Sequence, residues 1–434
     1  MEIFCPTVAG LDVHRRTVVA AIHTPTGQAV RTFGTMTADL EALARWLREV
    51  GVTLVAMEST GVYWQPVYTI LEEAGLDRWV VNAQHIKAVP GRKTDVKDAA
   101  WLCQLVRYGL VRPSFIPPKD QRELRELVRY RKTLIRQRAN LRNRLQKTLE
   151  AGTIKLGTVI SDLLGVSGRA MLAALAAGET DPQVLAALAN GRLHASEAEL
   201  VAALTGRMGD HQRFLLGEQV THLAELEAQL ARLDAEVTRR LDPSTPAPAA
   251  TVPGMSRAEA VGLLDSIPGI GVLTAEVIVA EVGLDLQRFP SDAHLASWAG
   301  LCPGQRQSGG TPGSGRIRKG NPHLKEVLVE AAAAAAKTKG SQFQRLYQRL
   351  AGRRGRKRAL VAVEHRLLRV IYRLLTTGAA YQEPVAVDDA QTRERARRQA
   401  CAKLARLGYE VVLHDRLPPN RRTTLEQFVP VAPG

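Results

Sequence analysis

Short unbroken apolar runs and longer amphipathic stretches alternate through the N-terminal quarter of the chain. Residues 6–11 and 52–57 have the length and composition of strands buried on both faces. Residues 18–22 follow the first run as the returning arm of a hairpin. Residues 38–50 and 65–74 carry apolar positions at helical spacing, and 79–82 read as a short strand. A further helix opens around residue 95. Alternation of this kind predicts one α/β domain, which we assign to 1–116.

From residue 117 the period changes. Leu124, Leu127, Leu134, Leu141 and Leu145 recur at helical or heptad spacing, and a second seam runs through 214–241. The two can pair as an antiparallel coiled coil, with the Ala/Leu-rich residues between them forming short helices. The middle region, 117–242, is therefore expected to be helical. The Pro/Ala-rich stretch beginning at Asp242 marks a linker, placed at 243–261. Beyond it, an apolar helix, a Pro-Gly-Ile-Gly turn and a second apolar helix starting at Val272 have the form of a helix-hairpin-helix. Residues 262–383 are expected to be mainly α, with helices over 327–336 and 359–375. Residues 384–434 form a basic, Pro-containing tail.

Composition narrows the partners. Among 434 residues, 59 Lys and Arg stand against 43 Asp and Glu, a net charge of +16. Such an excess favours a polyanion but does not distinguish DNA, RNA and an anionic membrane. No apolar run reaches the ~18–20 residues of a membrane span, and the N-terminus enters a strand without a charged-then-apolar leader. Cys5, Cys103, Cys302 and Cys401 are scattered and form no CxxC pair, as expected of a cytoplasmic protein without a zinc module.

Four acids carry the candidate chemistry. Asp12 in GLDVHRR and Glu58 in AMESTG close the two buried strands, and Asp95 and Asp98 in KTDVKDAA stand three apart at a helix start, so they face the same way. Carboxylates at strand ends are where ligands of open α/β sheets sit. Mg²⁺ is held by a few carboxylates plus water and phosphate. Two such ions about 4 Å apart clamp the attacking and leaving oxygens of a phosphodiester. Taken singly, each acid is also an ordinary turn residue, N-cap or first-turn residue; together, in a basic chain, they point to strand transfer or cleavage of nucleic acid. Arg129, Arg131, Lys132, Arg136, Arg138, Arg142, Arg144 and Lys147 decorate the first leucine seam. They are candidates for nucleic-acid contact, against the alternative of a solvated helix face. Gly269 and Gly271 of the PGIG turn permit close backbone approach, and the following helix N-terminus can hold a phosphate. A Gly-rich basic segment, WAGLCPGQRQSGGTPGSGRIRKGN, is the second chemical candidate. Its Arg306, Arg316, Arg318 and Lys319 can stabilise charge on a pentavalent phosphorus.

At these two segments the chain resembles the bacterial insertion-sequence transposases of the family numbered one hundred and ten, related to the Piv DNA invertase. The motifs are GLDVH, ESTG.YW and KTD..DA in the first half, and IPGIG..TA, WAGL.P...SGG and KGN..L in the second; they span about 6–150 and 262–380. The resemblance implies a RuvC-like (RNase H-like) α/β domain whose DEDD acids fall on Asp12, Glu58, Asp95 and Asp98 and position Mg²⁺. It also implies a C-terminal transposase domain whose serine falls on Ser308, with Ser314 and Ser297 as competitors within or beside a shortened Gly-rich loop. The serine would attack a phosphodiester of double-stranded DNA and hold the end as phosphoserine. A structured bridge RNA would pair with donor and target DNA, and acids and serine of different subunits would build a composite site in a homodimer or homotetramer. The protein would work in the bacterial cytoplasm, at the nucleoid.

Two alternatives stay open on the residues alone. Without the serine, the same acids would serve a RuvC-like nuclease or resolvase that hydrolyses DNA with water. Without the chemistry, basic hairpins and a PGIG turn would suffice for a nucleic-acid-binding scaffold.

Overall fold

The computed structural model describes residues 3–58, 61–82, 95–190, 193–242, 244, 250–302, 307, 308, 311, 312, 317, 319–384 and 390–411. The chain divides into two compact units, Met1–Lys119 and Asp120–Gly434.

The first unit is a six-stranded mixed sheet in the order β3-β2-β1-β4-β5-β6. Its strands are β1 (Val8–Val13), β2 (Thr17–Thr24), β3 (Gly27–Gly34), β4 (Leu54–Glu58), β5 (Asp77–Val81) and β6 (Pro113–Ser114). β1, β4 and β5 are parallel, whereas β2, β3 and β6 join antiparallel. Alternation along β1 sends Ala9, Leu11 and Val13 to a core shared with α1 (Thr37–Glu49) and α2 (Trp64–Glu73). Val8 faces the other way, toward Ala99, Leu102 and Val106 of α3 (Asp95–Arg107). A sheet covered on both faces needs strands apolar at every position, which is why β1 and β4 read as unbroken runs. β3 escapes that signal. It is an exposed edge strand, GQAVRTFG, held by its ladder to β2 rather than by burial. This mixed α/β sheet is consistent with a RuvC-like DEDD domain.

The second unit is helical. Its two longest helices, α4 (Lys119–Ala151) and α9 (Asp210–Arg240), run side by side in opposite directions. Glu123 pairs with Arg240, Arg131 Nη1 lies 3.1 Å from Asp234, and Thr148 meets Gln219 at 3.1 Å, so one index falls as the other rises. Leu134, Leu141 and Leu145 share a core with Leu216, Leu223 and Leu226. The short helices α5 (Leu156–Val159), α6 (Val166–Ala176), α7 (Pro182–Ala187) and α8 (Glu197–Leu204) fill the same core from one end.

A second core gathers α10 (Arg257–Asp265), α11 (Val272–Val282), α12 (Asp292–Trp298), α13 (Pro322–Ala335), α14 (Gln342–Arg354) and α15 (Arg356–Thr377). The expected linker over 243–261 ends early. Ser256 and Glu259 form a capping box that starts α10 at Arg257, and Ala260 and Val261 are already buried. Residues 243 and 245–249 of that linker, and 412–434 of the tail, lie outside the described residues. α16 (Ala390–Arg406) follows in the tail. The four cysteines are free thiols, and among the described residues no helix is long and apolar enough to cross a membrane.

Candidate catalytic site

Asp12 and Glu58 are set side by side by strand register. β1 and β4 are parallel, with Leu11 opposite Met57. Asp12 and Glu58 are the next residues on each strand and leave the sheet at the same carboxyl end. Alternation turns both toward the face that α3 covers, with Leu54 and Ala56.

Three contacts fix the direction of α3. Arg107 Nη1 donates to Nε2 of His23, the residue paired with Val8, at 2.6 Å. Cys103 Sγ donates to the Val8 carbonyl at 3.4 Å. A Cβ at Gly10 would collide with the Ala99 carbonyl oxygen and the Cys103 nitrogen, so only glycine lets the helix lie this close. Helix index falls as strand index rises. The first turn of α3, bearing Asp95 and Asp98, therefore comes over the end of the sheet that holds Asp12 and Glu58. Asp98 is half-buried there; the side chain of Asp95 lies outside the described residues.

His14 is a member of this site that the spacing of acids did not suggest. Its Nε2 donates to Asp12 Oδ2 at 3.1 Å, which orients the carboxylate. The signal was present in GLDVH, where two residues of strand spacing place both side chains on one face. All-oxygen donors suit a hard divalent cation. Among the described residues, however, no three His, Cys, Asp or Glu side chains come close enough to hold a metal.

The Gly-rich segment in the second unit is closed at its base. A Cβ at Gly320 would strike the Ala299 carbonyl, so the two ends of the loop touch. Asn321 Oδ1 accepts from the amides of His323 and Leu324 at 3.0 and 3.2 Å, capping α13. Its Nδ2 donates to Glu281 Oε2 at 2.7 Å. Within the loop, β7 (Gln307–Ser308) pairs antiparallel with β8 (Thr311–Pro312). Ser308 thus has its backbone in a two-stranded ribbon; its side chain lies outside the described residues, as do Arg306, Ser314, Arg316 and Arg318. Lys319 is exposed, and Ser297 is an exposed residue of α12.

The cations of α4 are placed differently from expectation. α11 is buried along nearly its whole length, including Glu276 and Glu281. Buried carboxylates require partners, and α4 supplies them. Arg129 grips Glu281 with two bonds of 2.6 and 2.8 Å, and Arg125 stands 3.6 Å away. Burial alone would raise the Glu281 carboxyl; Arg129 and Asn321 outweigh it and hold it below the usual range. Arg131, 3% exposed, lies between Asp234 and Glu276, the latter an ion pair at 2.5 Å off the hydrogen-bond direction. Arg131 is therefore not a surface cation, and Arg129 spends its fork on Glu281. Lys132 lies 3.4 Å from both Glu326 and Glu330, Arg136 pairs with Glu326, Arg138 lies 3.9 Å from Glu227, and Arg142 donates to the Ser161 carbonyl at 3.3 Å.

Gly269 also serves packing. At φ +89° it lies against α13, where a Cβ would come within 2.5 Å of Ala331 O and Ala335 N, so it faces this chain's own backbone and not a phosphate. Gly271, the N-cap of α11, has open space around it.

Comparison with known proteins finds matches over two stretches of the chain. A transposase model of the IS110 DEDD group matches residues 9–153, and one described as transposase of the IS116/IS110/IS902 family matches 261–348. The chain is 28% identical to a probable family 20 transposase of Pseudomonas aeruginosa, over 78% of this chain and 88% of the relative. It is 30% identical to an insertion element IS116 protein of Streptomyces clavuligerus, over 59% of this chain and 67% of that one. A shorter likeness, 29% identity over 28% of this chain and 39% of the relative, links it to the pilin gene-inverting protein of Moraxella bovis.

Proposed function

The chain belongs to the IS110 family of insertion-sequence transposases, DNA-cutting and rejoining enzymes; from that premise we propose that it recombines DNA with a serine nucleophile, Ser308, and a metal-binding acidic site. The observation that carries the acidic half is the register of Asp12 and Glu58 on adjacent parallel strands, with the first turn of α3 above them. Asp12, Glu58, Asp95 and Asp98 would hold Mg²⁺. When bound, the ion supplies positive charge against the negative charge that grows on a phosphodiester under attack.

The chain's own groups do the rest. His14 keeps the Asp12 carboxylate turned toward the site. Ser308 Oγ forms a bond to phosphorus as the strand's P–O bond breaks, its proton passing to solvent while the leaving DNA oxygen takes one up as a hydroxyl; a DNA hydroxyl later displaces the serine, giving up its proton as the serine oxygen is reprotonated. Both steps exchange one phosphoester for another, so no energy source is needed. Lys319 and the loop arginines 306, 316 and 318 would neutralise the phosphorane. Family membership supports a bridge RNA that pairs with donor and target DNA, and a homodimer or homotetramer in which acids and serine come from different subunits. Residues 1–116 would be the catalytic domain, 262–383 the serine domain, and 117–242 a coiled-coil region for nucleic-acid contact and assembly.

A recombination assay tests this. Purified protein with its copurifying RNA, element DNA and Mg²⁺ should give joined product and a protein–DNA adduct on a denaturing gel. Asp12→Ala and Ser308→Ala should each abolish both. Cleavage without adduct by Ser308→Ala would mean that water is the nucleophile.

A further inference from the structure

Residues 331–363 contain nine Lys or Arg and no Asp or Glu. Six of these, Arg349, Arg353, Arg354, Arg356, Lys357 and Arg358, cluster where α14 ends, Gly355 turns the chain at φ +84°, and α15 begins. All six are exposed, and none forms an ion pair among the described residues. The arrangement costs stability. Three cations occupy the first turn of α15, where the helix dipole favours acids, and no side chain caps that end. By contrast α8 and α10 begin with complete capping boxes. Like charges packed this tightly repel one another unless a polyanion covers them.

We infer that this α14–α15 corner is a docking surface for the phosphate backbone of duplex DNA. The inference rests on the proposed action on DNA and names a surface for it. A duplex fits the surface better than unpaired RNA. Residues 349–358, which hold the six cations, contain no aromatic, and recognition of single-stranded RNA relies on aromatic faces on which bases stack. α14 and α15 also grow from the same core as α13, whose N-cap closes the loop carrying Ser308. A duplex held at the corner would thus be held by the body that bears the proposed nucleophile.

The test is a salt titration of binding by the full chain, using a duplex of the element's end and, separately, a hairpin RNA. The variant is Arg353→Gln/Arg354→Gln/Arg356→Gln/Lys357→Gln. Wild-type affinity for the duplex should fall steeply with salt. In the variant the slope of log K against log salt should shrink by roughly 0.9 for each phosphate that is no longer neutralised, about 2–4 in all. Arg353→Lys/Arg354→Lys/Arg356→Lys should keep the wild-type slope, because neutralising a phosphate needs only the charge. If the glutamine variant binds the duplex with unchanged slope and affinity while the wild type binds well, the corner is not the surface, though the DNA reading stands. If it loses hairpin RNA and keeps duplex, the surface belongs to RNA and the inference is overturned. If the wild type does not bind duplex at all, both fall together.

Discussion

Six cations of α4, from Arg125 to Arg138, and the six of the α14–α15 corner are opposite in what faces them. Along that stretch of α4 they meet carboxylates: Glu281 and Glu276 from buried α11, Asp234 and Glu227 from α9, Glu326 from α13; farther along, Arg142 donates to a carbonyl, and Arg144 and Lys147 are exposed with no ion pair among the described residues. At the corner they meet water. Net charge counts the two sets of six as equal contributions to a basic surface, but carboxylates match the first set and none faces the second among the described residues. An arginine opposite a buried acid is part of the fold, since neither charge can be left alone in a low-dielectric interior. An arginine without a carboxylate is available to a phosphate.

The sharpest way to break this comparison is to remove the acid that the α4 arginines serve. Glu281→Ala leaves the half-buried Arg129 and Arg125 without their carboxylate and deprives Asn321 of its partner. Loss of one member of a buried ion network costs about 3–5 kcal/mol, read as a lower urea midpoint for the second unit. The glutamine variant of the corner should leave that midpoint unchanged or raise it, because it removes exposed cations that repel one another and oppose the α15 dipole. Equal effects in the two regions would erase the distinction.

A smaller effect sharpens it through pH. Glu364 of α15 is buried without an ion pair among the described residues. Burial pushes its carboxyl up to about 7, against the opposing charge of Lys325. The unfolded chain gives up this proton near the ordinary 4.5. Between those values the folded state holds the extra proton, so stability falls as pH rises through the window and then levels off. Glu364→Gln should therefore melt higher than wild type at pH 8, by roughly 2–4 °C for each kcal/mol relieved, with the difference gone near pH 4. An acid that has an arginine behaves oppositely: Glu281, held low, stabilises at neutral pH and loses that contribution on the acid side.

How far the sequence could be read follows the same division. β1 and β4 were legible because burial on both faces leaves an unbroken apolar run. Asp12 and Glu58 were legible as the polar residues that end those runs. α4 and α9 announced themselves through leucine spacing. β3 did not, because an exposed edge strand leaves no apolar signature. The fate of the α4 cations was invisible for a different reason. Arg129 and Glu281 are 152 residues apart, and nothing local marks an arginine whose partner is a distant carboxylate. Gly269 misled similarly: a glycine that admits a phosphate and one that admits another helix carry the same letter. The acid-free run at the corner is written in the sequence, but nothing local tells whether carboxylates from elsewhere in the chain face it.

The smallest effect discriminates best between the two regions. Arg136 lies on α4 with its side chain half exposed, yet Glu326 holds its guanidinium. An exposed pair of this kind contributes within about 1 kcal/mol, so Arg136→Gln should melt nearly as wild type does. Its DNA slope should also be unchanged, because a guanidinium already neutralised by a carboxylate releases few counterions from a phosphate. Arg354→Gln removes one cation of the same type from the corner and should reduce the slope by roughly 0.9. The two variants change net charge equally. If their slopes fall together, the protein presents only a diffuse basic surface, and the pairing seen along α4 gives way when DNA arrives. If only the corner variant changes, placement decides which arginines bind, and the ion pairs of α4 persist in the complex.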